Sequence, residues 1–144
     1  MLNQLRVDEL LAAIGERTQA PASGAATALT AALAAALAEL AARYAGDDDA
    51  DRAHALAAEL VELGDADTAA YTAFMADRNE ETRAEIISIP EEIARRADEV
   101  VELAGRAAGK VSASVGGDAR AAAELARAAA AVARGLADLN RAGS

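Results

Sequence analysis

Alanine constrains this chain more than any other residue. It fills 45 of the 144 positions and gathers in runs such as Ala31-Ala32-Leu33-Ala34-Ala35-Ala36 and Ala128-Ala129-Ala130-Ala131. Alanine faces let helix axes approach closely and pack over long lengths, and no segment reads as a strand. Phe, Tyr and Trp together supply only three residues, so the core is thin per residue. Further apolar burial is therefore expected from self-association as a symmetric dimer. The length suits one domain over 1–144, large enough to hold a core of its own.

The apolar spacing predicts a first helix from Val7 to Arg17, carried by Leu10, Leu11 and Ile14. Thr18 to Gly24 breaks it, and Ser23 is placed to cap a second helix running to Tyr44. An acidic turn, Gly46-Asp47-Asp48-Asp49, feeds a third helix to Arg78, its aspartates suiting the positive helix end. Asn79-Glu80-Glu81 starts a short fourth segment ending near Ser88. Ile89-Pro90 then marks either a kink or the start of a helix reaching Ala108. Gly109 to Gly117 reads as a loop, and Asp118 as the N-cap of a last helix to Asn140. The expected architecture is an all-α antiparallel bundle of about five or six helices.

The net charge of −10 argues against nucleic acid, whose phosphates need a basic surface, and against anionic membranes. No cysteine is present, so disulfides and thiolate chemistry are excluded. A single histidine, His54, reads as a surface residue and cannot build a multi-histidine metal site. No loop shows magnesium or calcium ligand spacing, so no metal is expected. The N-terminal residues lack the apolar run of a signal peptide. Thr18 to Ala38 is uncharged, but its continuous apolar part falls short of the roughly 20 residues of a membrane span. The expectation is a soluble, cytoplasmic protein.

One carboxylate stands where a core residue belongs. Leu56, Leu60, Leu63, Ala70 and Phe74 recur at spacings of four and three, the mark of a core-facing stripe. Asp67 falls on that stripe. Its neighbour Asp65 lies about 200° away and is expected to face solvent. A carboxylate on an apolar face is costly unless paired, hydrogen-bonded or protonated. Asp67 therefore either holds register against a neighbouring helix or acts as a general acid or base. Tyr71 lies one turn on. Gly64 lies one turn back, where the missing side chain would leave room for a ligand.

Two polar segments feed helix starts. Pro21-Ala22-Ser23-Gly24 precedes the long alanine helix, whose free amide groups favour an anion; it is also an ordinary small-residue helix start. Ser112-Ala113-Ser114-Val115-Gly116-Gly117-Asp118 is the second, read either as a cap or as part of a site. Arg120, Arg127, Arg134 and Arg141 form a row seven apart. That row is either a solvated face paired with Glu124 and Asp138, or an anion-binding row at a dimer seam.

The order of these features resembles the cyclodeaminase/cyclohydrolase family, which includes the C-terminal domain of formiminotransferase-cyclodeaminase and bacterial methenyltetrahydrofolate cyclohydrolases. Thr18-Gln19-Ala20-Pro21-Ala22-Ser23-Gly24-Ala25 stands where the family has a glycine-rich turn. Asp65-Ala66-Asp67-Thr68-Ala69-Ala70-Tyr71 matches its Asp-Ala-Asp segment, and Ile89-Pro90-Glu91-Glu92-Ile93-Ala94 its Val-Pro helix start. Val111-Ser112 through Gly117-Asp118 answers a Gly-Asn…Ser-Asp loop. Leu136-Ala137-Asp138-Leu139-Asn140 answers an Asn-Val-x-Ile-Asn segment. The triple glycine is reduced to Gly24, and two family asparagines are replaced by Ser112 and Leu136.

The resemblance implies an all-helical homodimer with Asp67 as the catalytic carboxyl. It implies no cofactor, and a small-molecule substrate that is a tetrahydrofolate derivative or another amidine or imine handled by a repurposed cyclase. Ser23, Gly24, Tyr71, Ser112, Ser114, Asp118 and Asn140 are the substrate-binding candidates. A reading from a different class remains beside it: a non-catalytic helical dimer that binds a small molecule or a protein partner.

Overall fold

The computed structural model describes residues 1–143. A single turn, Leu2–Gln4, precedes five helices: α1 (Val7–Gly15), α2 (Ser23–Ala45), α3 (Asp49–Ala76), α4 (Glu80–Ala108) and α5 (Ala113–Arg141). No strand occurs among the described residues. Helices α2 to α5 form an up-and-down bundle in which α4 packs along α5, α2 along α3 and α5, and α2 reaches diagonally to α4.

Small side chains explain that diagonal contact. Ala28, Ala31, Ala35 and Ala38 of α2 are fully buried, as are Ala97 and Ala104 of α4 and Ala122, Ala126 and Ala133 of α5. Between these methyl faces the larger residues Leu56, Leu60, Ile93 and Val100 fill the remaining volume. Helix α2 is also the element whose length and apolarity would suit a membrane span. Its window of mean hydropathy 1.7 is 56% buried in the bundle, so much of that apolarity is used in the protein core.

Several boundaries differ from the sequence expectation, each for a local reason. Helix α1 stops at Gly15, where Glu16 turns extended. The cap position of α2 is Ala22, not Ser23, and no side chain of the cap residue accepts from the first-turn amides. Gly46 takes the left-handed conformation (φ 67°) that ends α2, letting the Asp47 N–H reach the Ala42 carbonyl at 3.0 Å.

Asn79 and Thr82 cap α4 reciprocally at 2.9 and 3.1 Å, and the helix then runs unbroken through Pro90. Proline cannot donate to the Ile86 carbonyl four residues back. That carbonyl instead accepts from Asn140 Nδ2 of α5 at 2.7 Å, which is why no second helix start is needed. The predicted loop from Gly109 to Gly117 is mostly helix: α5 begins at Ala113, Ser112 holds the cap position, and Asp118 lies inside the helix rather than capping it.

Ion pairs organise the surface. Arg52 of α3 bridges Glu59 at 2.8 Å and Glu99 of α4 at 2.7 Å. Lys110 pairs with Asp47, and Arg106 with Asp49 at 2.9 Å, tying the α2–α3 turn to the α4–α5 end. Three of the four arginines in the α5 row are paired on a solvated face: Arg127 meets Glu124, Arg134 meets Asp98, and Arg141 meets Asp138 and Glu91, while Arg120 is exposed without a carboxylate partner among the described residues. His54 is exposed and lies 3.1 Å from Glu39.

Candidate functional site

The stripe of α3 continues through Asp67, Tyr71 and Phe74, and it meets the first turn of α2. Gly24 is the contact point. A Cβ built there would stand 1.9 Å from Asp67 Oδ2 and 2.6 Å from Oδ1. The Asp67 carboxyl thus occupies the space any larger residue on α2 would need, and only glycine admits it. Burial pushes the Asp67 pKa above the usual carboxylate value.

Opposite this carboxyl lies the uncapped start of α2. The first helical bond there runs from Ala26 N–H to Ala22 at 3.0 Å, which leaves the amides of Ser23, Gly24 and Ala25 outside the ladder. Their partial positive charge favours an anion in the same space, in opposition to burial. The raised pKa eases protonation of the carboxyl, the direction a general acid needs.

Asp67 and Gly24 wall a cavity of about 250 Å³. Gln19, Ser23, Tyr71, Arg78 and Asn140 contribute its other polar groups. Phe74, Met75, Ile86, Pro90, Leu136 and Leu139 supply the apolar wall. This lining, about as polar as it is apolar, can hold a small molecule that carries several polar groups. No set of three or more metal-ligating side chains converges among the described residues.

The neighbours of Asp67 divide between site and scaffold. Asp65 does not face solvent as expected: its Oδ1 accepts the Leu2 backbone N–H at 2.8 Å, pinning the N-terminal turn to α3. Gly64 opens no ligand space either. A Cβ there would meet Leu2 Cδ1 at 3.1 Å and Ala28 Cβ at 3.2 Å, so the notch is filled by protein. Asn140 lines the cavity while one of its amide hydrogens serves Ile86, and its backbone carbonyl accepts from Arg83 Nη1 at 3.0 Å.

Asp67, Ser23, Gly24, Tyr71 and Asn140 are therefore brought together in one chain. Ser112, Ser114 and Asp118 are not. They lie toward the far end of α5, about 33 to 42 Å of helix from Asn140. Sequence reasoning missed Arg78. The signal was present, because the spacing 67, 71, 74, 78 simply extends the α3 stripe past the helix end.

Fold and pocket together define an all-helical domain with a partly buried carboxylate facing a small mixed cavity. The chain belongs to the formiminotransferase-cyclodeaminase family, whose model matches residues 6–143. It is similar to the crystal structure of formiminotetrahydrofolate cyclodeaminase from Thermotoga maritima, with a TM-score of 0.90 over 99% of this chain and 81% of that one. Identity is 21%, so this likeness speaks for the fold. No curated protein matches the chain by sequence.

Proposed function

We propose that this pocket closes N5-formimino-tetrahydrofolate to the methenyl form with release of ammonia, and that Asp67 carries the proton. The observation behind this reading is the Asp67 carboxyl, wedged against Gly24 with its pKa raised by burial, at the wall of the cavity. In ring closure N10 attacks the amidine carbon, one carbon–nitrogen bond forms, and the bond to the terminal nitrogen breaks. Starting from the protonated amidine, the N10 proton must leave, and the departing nitrogen, already carrying two hydrogens, must gain one to go as ammonia, which leaves the positive charge on the methenyl bridge. A single carboxyl between them does both, and general acid–base assistance of this kind supplies about 10² to 10⁴ in rate. Acting on water instead, the same group would hydrolyse a methenyl bridge.

The uncapped α2 amides, Ser23, Tyr71 and Gln19 are the groups available to hold polar atoms of the ring system. Closure changes no oxidation state, so the reaction calls for no redox cofactor. Incubating the protein with 5-formiminotetrahydrofolate should produce the methenyl chromophore and ammonia in equal amounts. Absence of both products would refute the reading.

A second copy of the chain belongs to this proposal. Leu33, Leu40 and Tyr44 stand exposed along α2, and Leu125, Val132 and Leu139 along α5, the latter seven residues apart. The α5 row lies on the side of the helix away from Arg134 and Arg141, which reach α4. These rows carry no charge in a protein of net charge −10, so two acidic molecules can meet there with little repulsion.

A further inference from the structure

Acids outnumber bases here by 24 to 14, so a basic side chain without a carboxylate partner is out of pattern. Ten of the fourteen Lys and Arg residues lie within ion-pair distance of one. Among the described residues Arg17, Arg78, Arg83 and Arg120 do not. Arg17 and Arg120 are exposed and away from the cavity. Arg78, also exposed, and the partly buried Arg83 differ in that both guanidinium groups sit against one ring, 5.3 and 5.6 Å from the Phe74 centroid.

Phe74 and Arg78 both line the cavity that holds Asp67. The nearest acid in sequence, Asp77, accepts from Asn79 Nδ2 at 3.0 Å, so it serves the α3–α4 turn. Arg83 is steadied by its bond to the Asn140 carbonyl. Two like charges held against one ring repel each other, and a nearby anion would relieve that repulsion. Phe74 is seven residues from Asp67, which is about 10 Å along α3.

The cavity is thus polarised: the Asp67 carboxyl on one side, the Phe74 ring between, and the Arg78 guanidinium on the other, with Arg83 on the same ring just outside the lining. We propose that Arg78, backed by Phe74 and reinforced by Arg83, binds a carboxylate at the far end of the pocket's ligand while Asp67 faces its nitrogen-bearing end. The inference rests on the proposed reaction only for the identity of the Asp67 end. The anion site stands on the ion-pair pattern and the cavity. A planar guanidinium matches a carboxylate through two parallel N–H donors, which a lysine would not reproduce.

The test uses N-benzoyl-glutamate, a dicarboxylate that carries an aromatic acyl group and no amidine, titrated into protein with labelled arginine side chains. The Arg78 Nε–Hε signal should move on titration while that of Arg120 stays in place. Arg78→Gln should weaken binding about tenfold, the loss expected for one charge-assisted pair. An unmoved Arg78 signal, or an unchanged affinity in Arg78→Gln, overturns the proposal. If 5-formiminotetrahydrofolate is not turned over while the probe still engages Arg78, the reaction fails and the anion site stands. If turnover is normal and Arg78→Gln leaves KM unchanged, the anion site fails and the role of Asp67 stands.

Discussion

At the scale of single residues, the account turns on the contact between Asp67 and Gly24. Gly24→Ala would put a methyl group inside the carboxyl, and something must move. Alanine is the better helix former by up to about 1 kcal/mol, but overpacking costs about 1 to 3 kcal/mol, so a net loss of stability is expected in denaturant unfolding. Displacing the carboxyl by about 1 Å should cost roughly 10²-fold in kcat. Asp67 also has a pH signature. Its folded pKa is raised, so the folded state holds the proton more tightly than the unfolded state, and stability falls as pH rises from the unfolded value through the folded one. Asp67→Asn removes that penalty. Its melting temperature should exceed that of the wild type at neutral pH, and the gap should close in acid. A variant less stable than wild type at pH 7 would contradict the assignment. The stripe Leu60, Leu63, Ala70, Phe74 made Asp67 legible from spacing alone. The roles of Asp65 and Gly64 were not legible, because the Leu2 turn that engages both comes from more than sixty residues away in the chain.

Elements tell a similar story of local signals and distant partners. Asn79 and Gly46 marked a helix start and a turn in sequence, and the structure uses them so, with Thr82 completing the Asn79 cap. Pro90 could mean a kink or a start, and the deciding partner, Asn140, lies fifty residues on in α5. The early start of α5 was hidden for another reason. Gly116 and Gly117 look like loop residues, yet they fit within the helix, where Gly116 is buried and a Cβ there would come within 3.7 Å of Arg120 Nη1. Removing the Asn140 amide leaves the Ile86 carbonyl without a donor, so Asn140→Ala should cost about 1 to 3 kcal/mol. Pro90→Ala would supply the missing N–H from within α4. In that background Asn140→Ala should cost much less, and a double-mutant cycle in urea reads the difference. Equal costs in both backgrounds would show that the Asn140–Ile86 bond is not what accommodates the proline.

For the whole molecule, alanine content and the absence of strand patterns were enough to place an antiparallel helical bundle. The geometry of the site was only half accessible. Ser23, Gly24, Asp67, Tyr71 and Asn140 converge because α2, α3 and α5 share one end of the bundle, while Ser112, Ser114 and Asp118 lie at the other. Sequence order carries no information about which end a helix terminus reaches. The uncharged rows on α2 and α5 lead to an expected dimer. Leu125→Glu with Val132→Glu should give a folded monomer by light scattering, since both residues are exposed and neither is needed for the core. Association unchanged in that variant would move the interface elsewhere. The central claim, that Asp67 carries the proton in ring closure, is tested most directly by the single-turnover rate of methenyl formation from 5-formiminotetrahydrofolate in Asp67→Asn. The account predicts a fall of about 10² to 10⁴ relative to wild type, in a protein that is still folded. A rate equal to that of the wild type would contradict it.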